Sequence, residues 1–145
     1  MKRILLMLCL VASGLSAETW TEPAVGSQAR RDMLDAMRPH AEWLLGAPVQ
    51  FVVEDLRQAN GLGYGYLRAQ RPGGRQIDVL STPGYLRGDI DIELGDSTDI
   101  HALFQRSGGT WVALQWTMGP SDVWHHWDEY CRVFDVVIRD LCQAN

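Results

Sequence analysis

Lysine is nearly missing from this sequence: Lys2 is the only one among 145 residues. Schiff-base chemistry and general-base catalysis by lysine both need a lysine amine, so neither is available to a chain from which Lys2 has been cleaved. The arginines do not form a basic surface for nucleic acid either. Apart from Arg30 and Arg31 they occur singly, and no basic stripe is available to neutralise phosphates. We therefore do not expect nucleic acid as a partner.

Signatures of nucleophilic catalysis are also missing. No serine lies in a Gly-x-Ser-x-Gly elbow, and the four in turn-like contexts are Ser81, Ser97, Ser107 and Ser121. His40 and His101 have no partner at a recognisable spacing that would make either of them a general base. These absences predict no catalytic residue and no cofactor.

Long apolar runs are missing except for one, and that run covers only residues 4–11. It follows Lys2 and Arg3 and is too short to span a bilayer, which is typical of a secretory signal. Small residues of the kind that a signal peptidase requires follow it: Gly14, Ser16 and Ala17. The sequence therefore predicts a signal peptide at 1–17 and export to the periplasm.

The chain that remains after such a cleavage would have 128 residues, with eleven arginines against eighteen carboxylates and a formal net charge of −7. This length is enough for one core, so we predict a single α+β domain at 27–145 after a mobile leader at 18–26. We expect no membrane insertion after signal cleavage, because no other segment approaches the length of a membrane span.

A helix is predicted between Ser27, a suitable N-cap, and residue 45, where Gly46 and Pro48 prevent its continuation. Apolar residues recur through this segment at helical spacing. Pro39 lies inside the segment and predicts a kink or a brief break.

Alternation of apolar and polar residues, the period of a half-buried strand, occurs in two pairs of segments. Residues 49–57 and 62–70 form the first predicted hairpin, and residues 100–106 and 110–118 the second, each around a glycine-containing turn. Residues 89–93 also alternate, and this pattern could form an edge strand with three carboxylates on one face.

Two glycines alternate with two tyrosines in the second strand. Gly63 and Gly65 share one face, where the missing side chains would let the helix lie tightly across the sheet, and Tyr64 and Tyr66 share the other. The predicted fold is an N-terminal helix packed on a four-stranded antiparallel sheet, as in cystatin-like and NTF2-like domains, plus a C-terminal helix.

The C-terminal helix is predicted over about twenty residues from 123, because apolar residues recur at three and four. Cys131 and Cys142 lie on one stripe of it, about 16 Å apart along a straight axis. A disulfide, which export would favour, needs Cα atoms about 4.4–6.8 Å apart. Three alternatives stay open: the helix breaks near 132–135 and the cysteines pair, the bond joins two chains, or both thiols stay reduced in the core.

Four short segments together carry a resemblance: DAMRP at 35–39, GAPVQFVV at 46–53, QRPGG at 70–74 and GPSDVW at 119–124. Their order resembles a group of small exported bacterial proteins of unknown function with DALRP, QRPGG and GPTDVAW-type motifs. The resemblance implies an exported single domain and implies no reaction.

Two groups of residues invite a metal-site hypothesis. His125 and Glu129 are four positions apart on the predicted helix, but this pair alone is a weak zinc signal. The acidic stretch offers oxygen ligands for Ca²⁺, yet it lacks a twelve-residue calcium-loop pattern, and alternating carboxylates often mark a solvated strand face. Its members are Asp89, Asp91, Glu93, Asp96 and Asp99. The sequence therefore assigns no metal.

Aromatic residues give the stronger functional signal, because tryptophan and tyrosine dominate binding hot spots. We expect the binding residues to be Trp124, Trp127, Tyr64, Tyr66, Asp89, Asp91 and Glu93. The sequence predicts an exported, non-catalytic binding or accessory module for a protein or cell-envelope component, such as an inhibitor or immunity protein acting on an envelope-targeting enzyme. The alternative is a small periplasmic hydrolase or metal-dependent enzyme.

Overall fold

The structure is a computed structural model that describes residues 20–94, 97–119 and 123–143. The predicted signal peptide lies outside the described residues. Residues 20–22 lie against the domain, where Thr21 pairs with Gln58 in an isolated bridge and Glu22 forms an ion pair with Arg30. Within the described ranges, every helix falls short of the length and apolar character that a membrane span requires.

The first helix, α1, spans Gln28–Leu45 and is capped by Ser27, whose side chain accepts a hydrogen bond from the Arg30 amide. The helical assignment is continuous through Pro39, so the brief break offered as one outcome does not occur. Four fully buried residues form its core-facing stripe: Met33, Met37, Ala41 and Leu45.

Four strands form one antiparallel sheet in the order β1-β2-β3-β4. Their bounds are Gln50–Ala59, Leu62–Gln70, Asp99–Ser107 and Thr110–Met118. The β1–β2 turn is the pair Asn60 and Gly61, both at positive φ, a backbone conformation that asparagine and glycine tolerate best. Both predicted hairpins are confirmed.

The sheet carries a helix on each face. α1 covers one face over a core that includes Leu67, Ile100 and Phe104. The C-terminal helix α3, Asp128–Cys142, covers the other face through a second cluster that includes Leu103, Phe134 and Ile138. The predicted α+β class, with an N-terminal helix on a four-stranded sheet and a C-terminal helix, is confirmed.

The acidic stretch is not a strand. Residues 89–93, interpreted from their alternation as an edge strand, instead follow a short helix α2 at Pro83–Arg87 and lead into a 3₁₀ turn at Ile92–Leu94. The Asp91 carboxylate accepts a hydrogen bond from the Glu93 amide, a local bond that competes with strand pairing. This local hydrogen bond favours a turn over the strand that the alternating pattern predicts.

The C-terminal helix starts later than predicted. Residues Trp124–His126 form a 3₁₀ turn, Trp127 is extended, and α3 begins only at Asp128. The extended Trp127 changes the direction of the chain, so residues 123–127 and 128–142 do not share one helical axis.

Cys131 and Cys142 form a disulfide within the chain, with Cα atoms 6.0 Å apart. Of the three alternatives left open by the sequence, the structure shows intramolecular pairing. A straight helix would hold these Cα atoms about 16 Å apart, so α3 must bend sharply between them.

Gly63 lets α1 approach the sheet, as the sequence predicts. A Cβ placed on it would lie 2.6 Å from the Met33 Cε and 3.1 Å from the Arg57 carbonyl oxygen. Because Met33 is fully buried, its side chain has no solvent into which to retreat.

We expect Gly63→Ala to lower the free energy of unfolding by about 2 kcal/mol, because overpacking a filled core forces side chains out of position. Urea denaturation measures this loss. Gly109→Ala is the matched control: a Cβ there meets no described atom within 4 Å, and its effect should stay within about 0.5 kcal/mol. Equal stability of the two variants would contradict the close packing.

Candidate functional site

Three aromatic rings stack on the α3 side of the sheet, and we call them the histidine stack: Tyr66, His101 and His125. Tyr66 on β2 and His101 on β3 are register partners, with ring centroids 4.5 Å apart and planes 5° apart. His125 comes from the Trp124–His126 turn and lies 4.7 Å from His101 at 11°. The stack thus joins that turn to the middle of the sheet.

Hydrogen bonds fix one end of this arrangement. The Tyr64 hydroxyl is 3.0 Å from His101 Nδ1, and the Tyr66 hydroxyl donates to Asp99 at 3.4 Å. At the other end His125 is 5% exposed, and neither its Nδ1 nor the buried Nδ1 of His126 has a hydrogen-bond partner among the described residues. A proton added to either Nδ1 would be a buried donor without an acceptor, and such an unpaired donor destabilises the fold. These histidines are therefore costly to protonate.

Burial is the main cause of the pKa shifts in and beside the histidine stack. Burial, together with the neighbouring His101 and His126, lowers the pKa of His125 to about 4. Burial also lowers the pKa of His101, although Asp99 opposes that effect, and it raises the pKa of Tyr64. At neutral pH the rings are therefore uncharged, which suits packing rather than proton transfer.

The described residues contain no group of three histidine, cysteine or carboxylate side chains placed to hold a metal ion. The hypothesis of a His125 and Glu129 pair assumed one continuous helix, and the extended Trp127 between them removes that basis. The rings of His101 and His125 also lie in near-parallel planes with centroids 4.7 Å apart, so their in-plane lone pairs do not meet at one ion.

Arg57 is the second unusual group on this side, because it is a cation with only 7% of its surface exposed. It bonds to Asp55 at 2.7 Å, to Asp140 at 2.6 Å and to the Val137 carbonyl oxygen at 3.0 Å. Its guanidinium also lies over the Trp20 ring, 4.5 Å from the centroid. Arg57 thereby ties β1 to the last turns of α3 and to the N-terminal segment.

The residues predicted to bind a partner are separated by the fold. Trp124 and Tyr64 are buried in the second cluster, Trp124 with its indole donating to Thr117 Oγ1 at 2.7 Å, so neither offers surface to a partner. Tyr66 is half-buried within the histidine stack, whereas Trp127 is 50% exposed.

Trp127 has two exposed apolar neighbours along the chain, Val123 and Val133, and we call these three residues, together with half-buried Tyr130, the α3-side ridge. Val123, Trp127 and Val133 are each at least half exposed. Tyr130 supports the ridge from below, with its ring stacked on Trp127 and set edge-on against Trp124. An aromatic residue that is held rigid yet left exposed is typical of a binding anchor.

The acidic residues lie apart from the ridge in sequence and pair locally. Asp89 forms an ion pair with Arg87 at 2.9 Å, while Asp91 bonds the Glu93 amide. Asp96 lies outside the described residues. Asp89, Asp91 and Glu93 are exposed, but in the part of the chain that the structure describes they do not converge on a cation site.

A polar cavity of about 480 Å³ opens between the end of β2 and the start of β3. Its lining includes Arg68, which forms an ion pair with Glu54 at 2.8 Å, and Asp99, which accepts from Tyr66. Ser97 also lines the cavity, but none of the described lining residues is a histidine that could act as its general base.

Comparisons with protein-family models, curated proteins and solved structures found no match to this chain. The resemblance to small exported bacterial proteins therefore stays a prediction.

Proposed function

We propose that this protein is an exported, non-catalytic binding module that recognises a protein or another component of the cell envelope through the α3-side ridge. The observation that carries the proposal is Trp127, which is half exposed, supported by Tyr130 and flanked by exposed Val123 and Val133. Scattered single apolar residues are common on surfaces, but an aromatic residue held in a fixed position among several is a typical hot-spot arrangement.

The charge around the ridge favours a basic partner. Asp128 and Glu129 occupy the first turn of α3, directly after Trp127, and both are exposed. The predicted mature chain carries a formal charge of −7, and complementary charge speeds association and excludes acidic partners. An inhibitor or immunity protein that neutralises a basic, envelope-attacking enzyme is the form of binding module that fits this charge.

The uncharged histidine stack supports a role without catalysis. Its rings are packed against one another, and His125, whose Nδ1 has no partner in the described part of the chain, is almost fully buried. A general acid or base must instead lie within hydrogen-bond reach of a substrate. The stack therefore supports the position of the Trp124–His126 turn, and so of the ridge that follows it.

Trp127→Ala tests this function in a binding experiment. The tagged chain is used to capture partners from envelope extract, and the captured component is then purified and titrated against each variant. We expect Trp127→Ala to weaken its affinity by about 2 kcal/mol or roughly thirtyfold, as hot-spot truncations do.

Trp43→Ala is the matched control, because Trp43 is also an exposed tryptophan, 65% accessible and lying beside Arg87 on the opposite side of the sheet. It should bind like the wild type. Failure of the wild type to retain any component above background, or equal losses in both variants, would count against the ridge.

A further inference from the structure

The sequence and the structure disagree about the end of α3. The apolar period of residues 128–141 favours a straight amphipathic helix. In a straight helix Cys131 and Cys142 would be about 16 Å apart, but their Cα atoms are 6.0 Å apart. The segment is therefore bent although its sequence pattern favours a straight helix.

The bend can be placed from the backbone partners. In an uninterrupted helix the Leu141 amide would donate to the Val137 carbonyl. Here that carbonyl accepts from Arg57 at 3.0 Å, and the amides of Asp140 and Leu141 lie beside the Asp140 carboxylate. Arg57 and the Asp140 side chain thus offer these backbone groups partners other than the backbone of the helix itself.

Helical bonding resumes directly after this point. The Gln143 amide donates to the Arg139 carbonyl oxygen at 3.1 Å, one turn earlier in the chain. The helical turn that this bond closes covers 139–143, so the bend lies before it, near Val137, and after the 132–135 segment considered from sequence.

The disulfide that closes the bend is reachable from solvent. Cys131 and Cys142 are both partly exposed, and Cys131 lines an open depression of about 530 Å³ together with Asp128, Arg132 and Asp135. Cys131 Sγ also lies 3.2 Å from the His126 carbonyl oxygen, which would accept a hydrogen bond from the thiol once the disulfide is reduced.

We propose that α3 has two folded forms, selected by the redox state of the bond between Cys131 and Cys142. The oxidised form is the bent helix described above. In the reduced form the helix is straight, the Leu141 amide donates to the Val137 carbonyl, and Asp140 moves away from Arg57. Arg57 keeps its bond to Asp55 in both forms.

The redox step needs a dithiol reductant. One of its thiolates attacks a sulfur of the disulfide, forming a mixed disulfide and releasing the other cysteine as a thiolate. The second thiol of the reductant then displaces the remaining cysteine. Two electrons and two protons pass to Cys131 and Cys142, and the reductant leaves as a disulfide. This inference is independent of the proposed binding function, because it concerns only the shape of α3.

The test is made on the folded chain reduced with dithiothreitol, freed of reductant without oxygen and treated with dibromobimane, which bridges only thiols that already lie side by side. We expect little or no bridged fluorescent product, because a straight helix holds the two thiols apart. We also expect slower hydrogen exchange at the amides of Asp140 and Leu141, with unchanged protection in β2 and β3.

Cys131→Ser combined with Cys142→Ser provides a second measurement, since this variant should reproduce the slower exchange at Leu141 without any reductant. Complete bridging by dibromobimane in the reduced chain would overturn the proposal, because the bend would then persist without the disulfide. Loss of protection throughout the sheet on reduction would overturn it as well, since the reduced form would not be folded.

Discussion

Arg57→Met is expected to lower the free energy of unfolding by about 3 kcal/mol, the low end of the cost of breaking a buried ion pair. The substitution keeps an apolar stem of similar length but removes the bonds to Asp55, Asp140 and the Val137 carbonyl oxygen. The cost stays at the low end because the Asp140 side chain is 58% exposed and can bond to water instead. Urea unfolding followed by circular dichroism gives the measurement.

Arg139→Met is the matched control for this prediction. Arg139 forms an ion pair with Asp135 one helical turn away, and both side chains are about half exposed. Exposed pairs of this kind contribute about 0–1 kcal/mol, so the control should stay close to the wild type. If both variants lost the same stability, the burial of Arg57 would not explain its contribution.

His125→Phe should remove the share of the fold's acid sensitivity that comes from His125. The unfolded chain protonates this histidine near pH 6.5, whereas the folded chain resists protonation until about pH 4. Stability is therefore complete above pH 6.5 and falls by about 1.4 kcal/mol per pH unit below it, for a total of about 3 kcal/mol by pH 4. Phenylalanine keeps a ring in the stack but does not titrate.

The measurement is the difference in unfolding free energy between His125→Phe and the wild type at pH 7 and at pH 4. Carboxylates that titrate in this range contribute equally to both proteins, so the difference isolates His125. It should shift by about 3 kcal/mol in favour of the variant at pH 4. A constant difference across the range would mean that solvent reaches His125 freely in the folded state.

The order of α1, the four strands and α3 could be predicted from sequence because each depends on local periodicity. The hairpin around Asn60 and Gly61 follows from strand alternation and a turn that tolerates positive φ. The two faces of β2 follow from the alternation of Gly63 and Tyr64. In these segments the burial imposed by the fold agrees with the local pattern.

The end of α3 could not be predicted, because its shape depends on distant partners. Arg57 on β1 donates to the Val137 carbonyl oxygen, and the disulfide closes the bend. The apolar period of the segment favours a straight helix, and only the tertiary contacts impose the bend.

The histidine stack was missed for a similar reason. His101 and His125 lie in different elements, and no sequence spacing relates them. The aromatic pattern signalled that rings would gather near residues 124–127, but it could not show which would turn inward. Trp124, one of the residues predicted to contact a partner, is buried, whereas Trp127, three positions later, remains accessible.

Photo-cross-linking in living cells tests the proposed binding role most directly. Benzoylphenylalanine would replace Trp127 in one variant and Trp43, the other exposed tryptophan, in a second. The α3-side ridge predicts a discrete adduct with an envelope component from position 127 and none from position 43. Absence of any adduct from position 127, or the same adducts from both positions, would contradict it.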